Sequence, residues 1–159
     1  MASLGVPYSE QRVSATAPPV PSSETGARRL GLAYLEEVAR YSRGLVRPRA
    51  TPHGPELVLL GVLPLLRFGA ALTVVEGDRV ECRYAIRGGL LAAGPGGYLV
   101  LAQRGAGPAD VSIAVEEFRS RLAVEGRLGV RKRLFDLFQA PLHEAVGRRY
   151  LARVARGEL

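Results

Sequence analysis

The spacing of apolar residues changes along this chain, and that change restricts the folds it can adopt. From residue 79 to residue 87 apolar and charged residues alternate, as in a strand with one buried and one solvent-facing side. The same alternation returns at Val111, Ile113 and Val115. Glycine-rich turns separate these segments at regular distances, which indicates an antiparallel meander. From about residue 126 the apolar residues instead recur at helical spacing.

Local signals at turns and helix ends support this division. Gly77-Asp78 lies between two strand-like segments and suits a two-residue type II′ hairpin turn. Before the strands, helical spacing predicts a first helix over residues 27–43, with Ser and Thr at 22–25 suited to its N-terminus. Gly44 stands where a left-handed C-cap would fall. The apolar stripe of this helix is predicted to contain Leu30, Tyr34, Val38, Tyr41 and Leu45.

The C-terminal segment predicts a long helix over residues 130–156 that contains Pro141. The apolar stripe before the proline is rotated by about a quarter turn from the stripe after it. Because proline removes one helical hydrogen bond and bends the axis, a kink at Pro141 would keep both stripes against one sheet. The two stripes consist of Leu134, Phe135, Phe138 and Leu142, and of Val146, Tyr150 and Val154.

These elements predict an α+β fold, with a curved antiparallel sheet of about five or six strands packed on a long kinked C-terminal helix, and with an N-terminal helix. Residues 1–25 are expected to form a flexible segment with a weakly indicated strand at 10–15, and residues 26–159 a single domain. The predicted core consists of Leu30, Tyr34, Val38, Val80, Tyr84, Val100, Ile113, Val115, Leu134, Phe138 and Leu142.

In the order of its elements, the chain over roughly residues 55–156 resembles the helix-grip fold of START-related proteins and polyketide cyclases. In that fold a curved sheet wraps a long C-terminal helix around an apolar cavity. The resemblance implies a pocket for a hydrophobic ligand, with or without catalysis. A lipocalin-like barrel is the alternative architecture.

Residues 57–75 form the one candidate membrane span, with a single charge at Arg67. Their number is close to that of a spanning helix. Pro64, Arg67 and two glycines within the stretch favour two short buried strands instead. One cysteine excludes an internal disulfide, and residues 1–7 lack the pattern of a signal peptide. These observations predict a cytoplasmic protein.

The sequence disfavours several common chemistries. The glycine-rich segment 105–108 leads into a strand, so it lacks the helix N-terminus that a dinucleotide site requires. His53, Cys82 and His143 are not paired at metal-ligand spacing, and we predict neither a metal nor a cofactor. Cys82 lies on the apolar face of its strand, where we expect a core residue rather than a nucleophile.

His143 is the candidate functional side chain. It shares the helical face of Val146 and Tyr150, and Gln139 lies one turn earlier. If the sheet encloses a cavity, these polar groups lie on its wall, because apolar pockets orient small molecules through a few polar groups. Histidine also serves as an acid or base near neutral pH. The alternative is a semi-buried structural histidine. The candidate ligand-binding residues are Tyr84, Phe138, Gln139, His143 and Tyr150.

Basic residues are concentrated at the C-terminal end. The chain has 22 basic and 15 acidic residues, a net charge of +7, and residues 127–159 alone hold eight basic and three acidic ones. A helix face with these arginines suits an acidic partner, nucleic acid or an anionic membrane, although no interleaved aromatic residues are present for base stacking. All basic residues but one are arginine, which indicates a GC-rich bacterial coding background and favours a merely solvated face. The candidate residues are Arg148, Arg149, Arg153 and Arg156.

We therefore predict a binding protein for a hydrophobic or lipid-like small molecule held between the sheet and the C-terminal helix. Whether it also catalyses a reaction without a cofactor is left open. The competing prediction is an interaction protein that docks its arginine-rich C-terminal helix on an acidic partner, nucleic acid or anionic membrane.

Overall fold

The computed structural model describes residues 9–92, 94–117 and 140–159. Two helices and eight strands lie within these ranges. In chain order they are β1 (Ser9–Ala15), α1 (Glu24–Tyr41), β2 (Val46–Thr51), β3 (Gly54–Leu59), β4 (Leu63–Phe68), β5 (Leu72–Glu76), β6 (Arg79–Gly88), β7 (Tyr98–Arg104), β8 (Ala109–Glu116) and α2 (Ala140–Ala155).

All neighbouring strands are antiparallel, in the order β1-β8-β7-β6-β4-β3-β2, with β5 paired to β6 beside this path. The α+β class and the antiparallel sheet are therefore confirmed. The order of elements is strand, helix, strands and helix, and the antiparallel strands followed by a C-terminal helix agree with the helix-grip resemblance. The described residues hold eight strands rather than five or six. One of the additional strands is β2, which lies at the sheet edge and is mostly exposed, so its sequence carries no apolar alternation.

Helix α1 covers Glu24–Tyr41, so it begins three residues and ends two residues before the predicted bounds of 27–43. The Ser23 hydroxyl accepts a hydrogen bond of 3.0 Å from the amide of Gly26, which satisfies one of the unpaired first-turn donors. After the last turn, Gly44 adopts a φ of 81° and its amide bonds to the carbonyl of Ala39, as expected for a left-handed cap. Leu45 lies beyond the helix and is half exposed, so its assignment to the buried stripe was wrong.

The Gly77-Asp78 turn is confirmed as well. Glu76 pairs with Arg79, which leaves two residues in the loop, and only Gly77 has a positive φ, at 58°. This pattern fits a type II′ turn, whose first central residue alone needs the left-handed region.

Helix α1 lies across the inner face of the sheet, and α2 lies beside it. The first helix packs against β2, β5, β6 and β7, whereas α2 packs against α1, β1 and β8. Most of the predicted core is buried. The residues confirmed between the helices and the sheet are Leu30, Tyr34, Val38, Val80, Tyr84 and Ile113.

The remaining core predictions have different outcomes. Val115 is only partly buried, although it packs against the core cluster. Val100 is buried on the outer side of the sheet, since it alternates with the inward-facing Leu99 and Leu101. Leu134, Phe138 and the side chain of Leu142 lie outside the described residues. The same is true of residues 130–139, so the bend at Pro141 stays a prediction.

Part of the N-terminal segment belongs to the sheet. Strand β1 pairs with β8 along its full length, from Ser9 opposite Val115 to Ala15 opposite Ala109. The following connection is fixed by Gln103, whose side chain both donates to the carbonyl and accepts from the amide of Val20, at 2.8 and 3.0 Å. Flexibility of the first 25 residues as a whole, and the domain boundary at 26, stay predictions.

The apolar stretch over residues 57–75 is distributed over three strands. It covers half of β3, all of β4 and most of β5, so the stretch forms strands as predicted, but three strands rather than two. Neither α1 nor α2 is long and apolar enough to cross a bilayer.

Candidate functional site

A groove with a volume of about 430 Å³ runs between the edge strand β1 and helix α2. Apolar atoms of Val13, Leu151 and Ala152 form part of its walls, and Arg148 stands at its rim. Gln11 and Arg12 complete the lining. The groove therefore combines apolar walls with a cation and an amide, and it lies between the sheet and the C-terminal helix.

Gln11, which lines this groove, carries a buried donor without a partner among the described residues. In β1, Gln11 shares the inner face with Val13 and Ala15, whereas Arg12 and Ser14 point outward. Its amide nitrogen Nε2 is buried and has no hydrogen-bond partner among the residues that the structure describes. An unpaired buried donor costs about 1–3 kcal/mol of stability, and a hydrogen bond from this atom to an acceptor would remove that cost.

The backbone of α2 leaves room for the Gln11 side chain at one position. A Cβ atom at Gly147 would stand 2.6 Å from Nε2 and 2.9 Å from Oε1 of Gln11. Contacts this short do not occur for real side chains, so any residue larger than glycine at 147 would displace the Gln11 amide. Since His143 lies four residues before Gly147, the two positions share one helix face, about 6 Å apart along the axis.

His143 is held by a tyrosine of α1. The Tyr34 hydroxyl and Nδ1 of His143 are 3.1 Å apart, and the rings meet edge to face at 6.5 Å between centroids. Tyr34 is buried and its hydroxyl has no other acceptor within residues 9–92, 94–117 and 140–159. We therefore assign the hydroxyl as the donor and Nδ1 as the acceptor, which places the imidazole proton on Nε2.

Burial keeps both members of this pair in their neutral forms near pH 7. It lowers the pKa of His143 from the ordinary value of 6.5, and the negative charge of Glu144 opposes this shift only in part. Burial also raises the pKa of Tyr34 well above its usual range, so the phenol keeps its proton. The pair thus presents a neutral imidazole whose Nε2–H is a hydrogen-bond donor.

Tyr150 and Tyr84, two predicted ligand-binding residues, lie deep in the core. The Tyr150 hydroxyl donates to the carbonyl of Leu30 at 3.0 Å, and its ring packs edge to face on Tyr34 at 5.7 Å. The ring of Tyr84 packs on Phe68 at 5.7 Å, and its hydroxyl lies beside the Cys82 thiol under α1. These placements favour structural roles for both tyrosines, although Tyr150 contacts the residue that orients His143.

Phe138 and Gln139, the other two predicted ligand-binding residues, lie outside the described residues. Of the predicted set, the structure therefore groups His143 and Tyr150 around Tyr34 and leaves Tyr84 in the adjoining core. The sequence predicted Tyr34 only as a core residue. Its spacing from Leu30 and Val38 indicates burial, but it does not indicate the partner of its hydroxyl.

The four arginines proposed for an anionic partner have different surroundings. Arg153 donates at 2.7 Å to Glu37, a buried carboxylate of α1, and Arg156 pairs at 3.0 Å with the exposed Glu158. The Arg149 guanidinium lies over the ring of Tyr41, 5.4 Å from its centroid. Arg148 remains exposed at the groove. Two of the four cations therefore already have carboxylate partners, and they do not form one uniform face.

Metal-binding clusters are absent from the part of the chain that the structure describes. No three side chains of His, Cys, Asp or Glu there lie close enough to hold an ion. Cys82 is buried and not bonded to another cysteine, on the inner face of β6, as expected for a core residue.

Neither a protein-family model nor the sequence of a curated protein matches the chain. Solved structures similar to it include Ara h 8.0201, at 13% identity and a TM-score of 0.47 over 96% of this chain and 99% of that chain. An aromatase/cyclase from a Streptomyces species is similar at 14% identity and a TM-score of 0.42, over 96% and 93%. A norcoclaurine synthase point mutant from Thalictrum flavum, in complex with a transition-state analogue, is similar at 12% identity and 0.37, over 92% and 95%. Likeness at these TM-scores says nothing about what this chain binds.

Proposed function

We propose that this protein binds a small apolar molecule with a carboxylate or carbonyl oxygen between the sheet and α2. The observation that carries the proposal is the buried, unpaired Nε2 of Gln11 beneath Gly147. Folded proteins satisfy nearly all buried donors, so an exception beside a groove calls for an acceptor from outside the chain. A ligand oxygen would remove the cost of this unpaired group on binding.

The surroundings of Gln11 favour an amphipathic ligand. Val13, Leu151 and Ala152 offer apolar walls for a hydrocarbon part. Arg148 at the rim supplies a positive charge, which suits a carboxylate more than a neutral carbonyl. The neutral His143 lies one helical turn from Gly147, and we propose its Nε2–H as a second donor to the ligand. The proposed ligand is therefore a fatty or aromatic acid.

The test uses displacement of a fluorescent fatty acid and a comparison of two glutamines. Gln11→Leu removes the unpaired donor at nearly constant volume, so we expect the protein to be as stable as before or more so, with about tenfold weaker binding of fatty acids. Gln103→Leu is the matched control, because both polar groups of Gln103 are bonded to Val20. This second variant is expected to lose stability and to bind normally once folded.

A second pair of variants tests the charge preference. Arg148→Gln should weaken binding of the acid while leaving its methyl ester unaffected, because only the acid carries a charge. Arg149→Gln is the control, because the neighbouring Arg149 lies over Tyr41 and not in the groove. If Gln11→Leu gains stability but binds acids and esters as tightly as the wild type, the ligand does not use this site. If no acid or ester displaces the probe from the wild type, the proposed function is wrong.

A further inference from the structure

Five exposed apolar residues lie together at one end of the sheet. In the loop between β3 and β4, Leu60 and Val62 are 65% and 71% exposed, and Leu63 follows at the start of β4. The amide of Leu60 bonds to the carbonyl of Leu45 at 2.8 Å, and the amide of Leu90 bonds to the carbonyl of Pro64, next to Leu63, at 3.0 Å. We call the exposed set the apolar tip, and it consists of Leu45, Leu60, Val62, Leu63 and Leu90.

The backbone makes the leucine at position 60 unexpected on structural grounds. Leu60 adopts a φ of 53°, in the left-handed region that Gly, Asn and Asp occupy most readily. An asparagine there would lower the conformational strain and would also expose a polar side chain to water. The chain instead places a large apolar residue in the exposed loop of a hairpin. Strain and apolar exposure at one position indicate a surface that contacts something apolar.

The charged residues that flank Leu45 along the chain are positive. Along the chain Glu37 is followed by no acidic residue before Glu56, and then by none before Glu76. The interval contains Arg40, Arg43 and Arg47, which flank the turn that carries Leu45. None of these three arginines has a carboxylate partner among the described residues. Arg47 donates to the carbonyl of Gly44.

From these observations we infer that the apolar tip inserts into the surface of an anionic lipid bilayer, with Arg43 and Arg47 contacting lipid phosphates. Apolar residues that enter the boundary of the acyl region and cations that remain among the headgroups are the two components of peripheral membrane binding. This surface differs from the C-terminal helix, and it does not depend on the ligand proposed for the groove.

A second copy of the chain is a less suitable occupant of the apolar tip. The adjacent edge strand β2 is the place where two sheets would join, and it contains Pro48, which has no amide hydrogen to donate. Arg47 and Arg49 flank this proline, and charged edge residues oppose pairing between two identical edges. The concentration of positive charge also repels an identical surface, whereas it attracts an anionic bilayer.

The experiment is co-sedimentation with vesicles of phosphatidylcholine, with and without an equal share of phosphatidylglycerol. The wild type is expected to bind the anionic vesicles, to bind pure phosphatidylcholine weakly, and to lose affinity as salt is added. Leu60→Asn/Val62→Ser should reduce binding about tenfold without a loss of stability, since Asn accepts the left-handed backbone. Leu72→Ser/Val75→Ser is the matched control, because it removes exposed apolar surface from β5 and should bind normally.

Charge variants separate the two basic surfaces. Arg43→Gln/Arg47→Gln should weaken binding to the anionic vesicles about tenfold or more, whereas Arg148→Gln/Arg149→Gln should leave it unchanged. The inference is overturned if the wild type binds neither kind of vesicle, or if only the C-terminal pair matters. It is also overturned if sedimentation shows a dimer that Leu60→Asn/Val62→Ser dissociates while vesicle binding stays the same.

Discussion

The carboxylate of Glu37 in α1 accepts a hydrogen bond of 2.7 Å from the guanidinium of Arg153 in α2. Glu37 is only 3% exposed, while the Arg153 side chain reaches the surface in part. The pair joins the two helices that cover the sheet. Arg153, which the sequence analysis proposed as a contact for an anionic partner, therefore pairs within the protein.

Breaking this pair should destabilise the protein. Arg153→Ala leaves a buried carboxylate without its partner, and we expect the free energy of unfolding to fall by about 3 kcal/mol, the lower end of the range for broken buried pairs, because Arg153 retains some contact with water. Urea unfolding measures the effect. Arg156→Ala, which removes an exposed pair with Glu158, is the control and should cost less than about 1 kcal/mol. Equal effects of the two variants would show that Glu37 reaches solvent in the folded protein.

Stability should depend on pH through His143. Burial holds the folded-state pKa below the unfolded value of 6.5, so the unfolded state binds a proton first as the pH falls. The stability that the neutral imidazole of His143 contributes is therefore fully present above pH 6.5. It is lost as the pH decreases toward the lower folded-state pKa. His143→Gln should flatten this part of the curve, measured as the unfolding free energy against pH. His53→Gln, at an exposed turn residue, should retain the wild-type slope, and a wild-type curve with no fall below pH 6.5 would contradict the burial of His143.

The elements that the sequence predicted are those whose signals are local. The alternation of Val80, Cys82, Tyr84 and Ile86 indicates one buried face of a strand. Ser23 indicates the helix start, because its hydroxyl bonds to the amide of Gly26 only three residues later. The Glu37–Arg153 pair joins residues 116 positions apart, and no periodicity in either helix indicates it.

The candidate site was only partly accessible from the sequence for the same reason. His143 was found because it shares a helix face with apolar residues. Gln11 was missed because it lies in a short strand of low hydrophobicity, where an inward polar residue looks like a solvated one. Its unpaired amide becomes visible only when α2 is placed over β1 and Gly147 contacts it.

Cys82 should be unreactive in the folded protein. Burial raises the pKa of its thiol, and a hydrogen bond with Tyr84 counteracts this only in part, so little thiolate forms near neutral pH. We expect its reaction with a disulfide reagent to be slow in buffer and to accelerate with urea as the protein unfolds. A thiol placed in an exposed turn by Ala106→Cys should react at once in the folded state. Rapid modification of native Cys82 would mean that the core between α1 and β6 opens readily.

Close approach of α1 to β6 depends on Gly31. A Cβ atom at this position would stand 2.5 Å from the Tyr84 hydroxyl and 2.8 Å from the Cys82 sulfur. Alanine is favoured over glycine within a helix by about 1 kcal/mol, but overpacking a core costs about 1–3 kcal/mol. Gly31→Ala should therefore lower the melting temperature in spite of its better helix propensity.

Two further variants identify the cause of that loss. Adding Tyr84→Phe to Gly31→Ala removes the nearest atom and should restore part of the stability, whereas the ring carbon at 2.8 Å keeps the rescue incomplete. Leu32→Ala, at the exposed neighbouring position, should have only a small effect. If Gly31→Ala instead stabilises the protein, helix α1 lies farther from β6 than these distances require, and the packing around Tyr84 and Cys82 is looser than described.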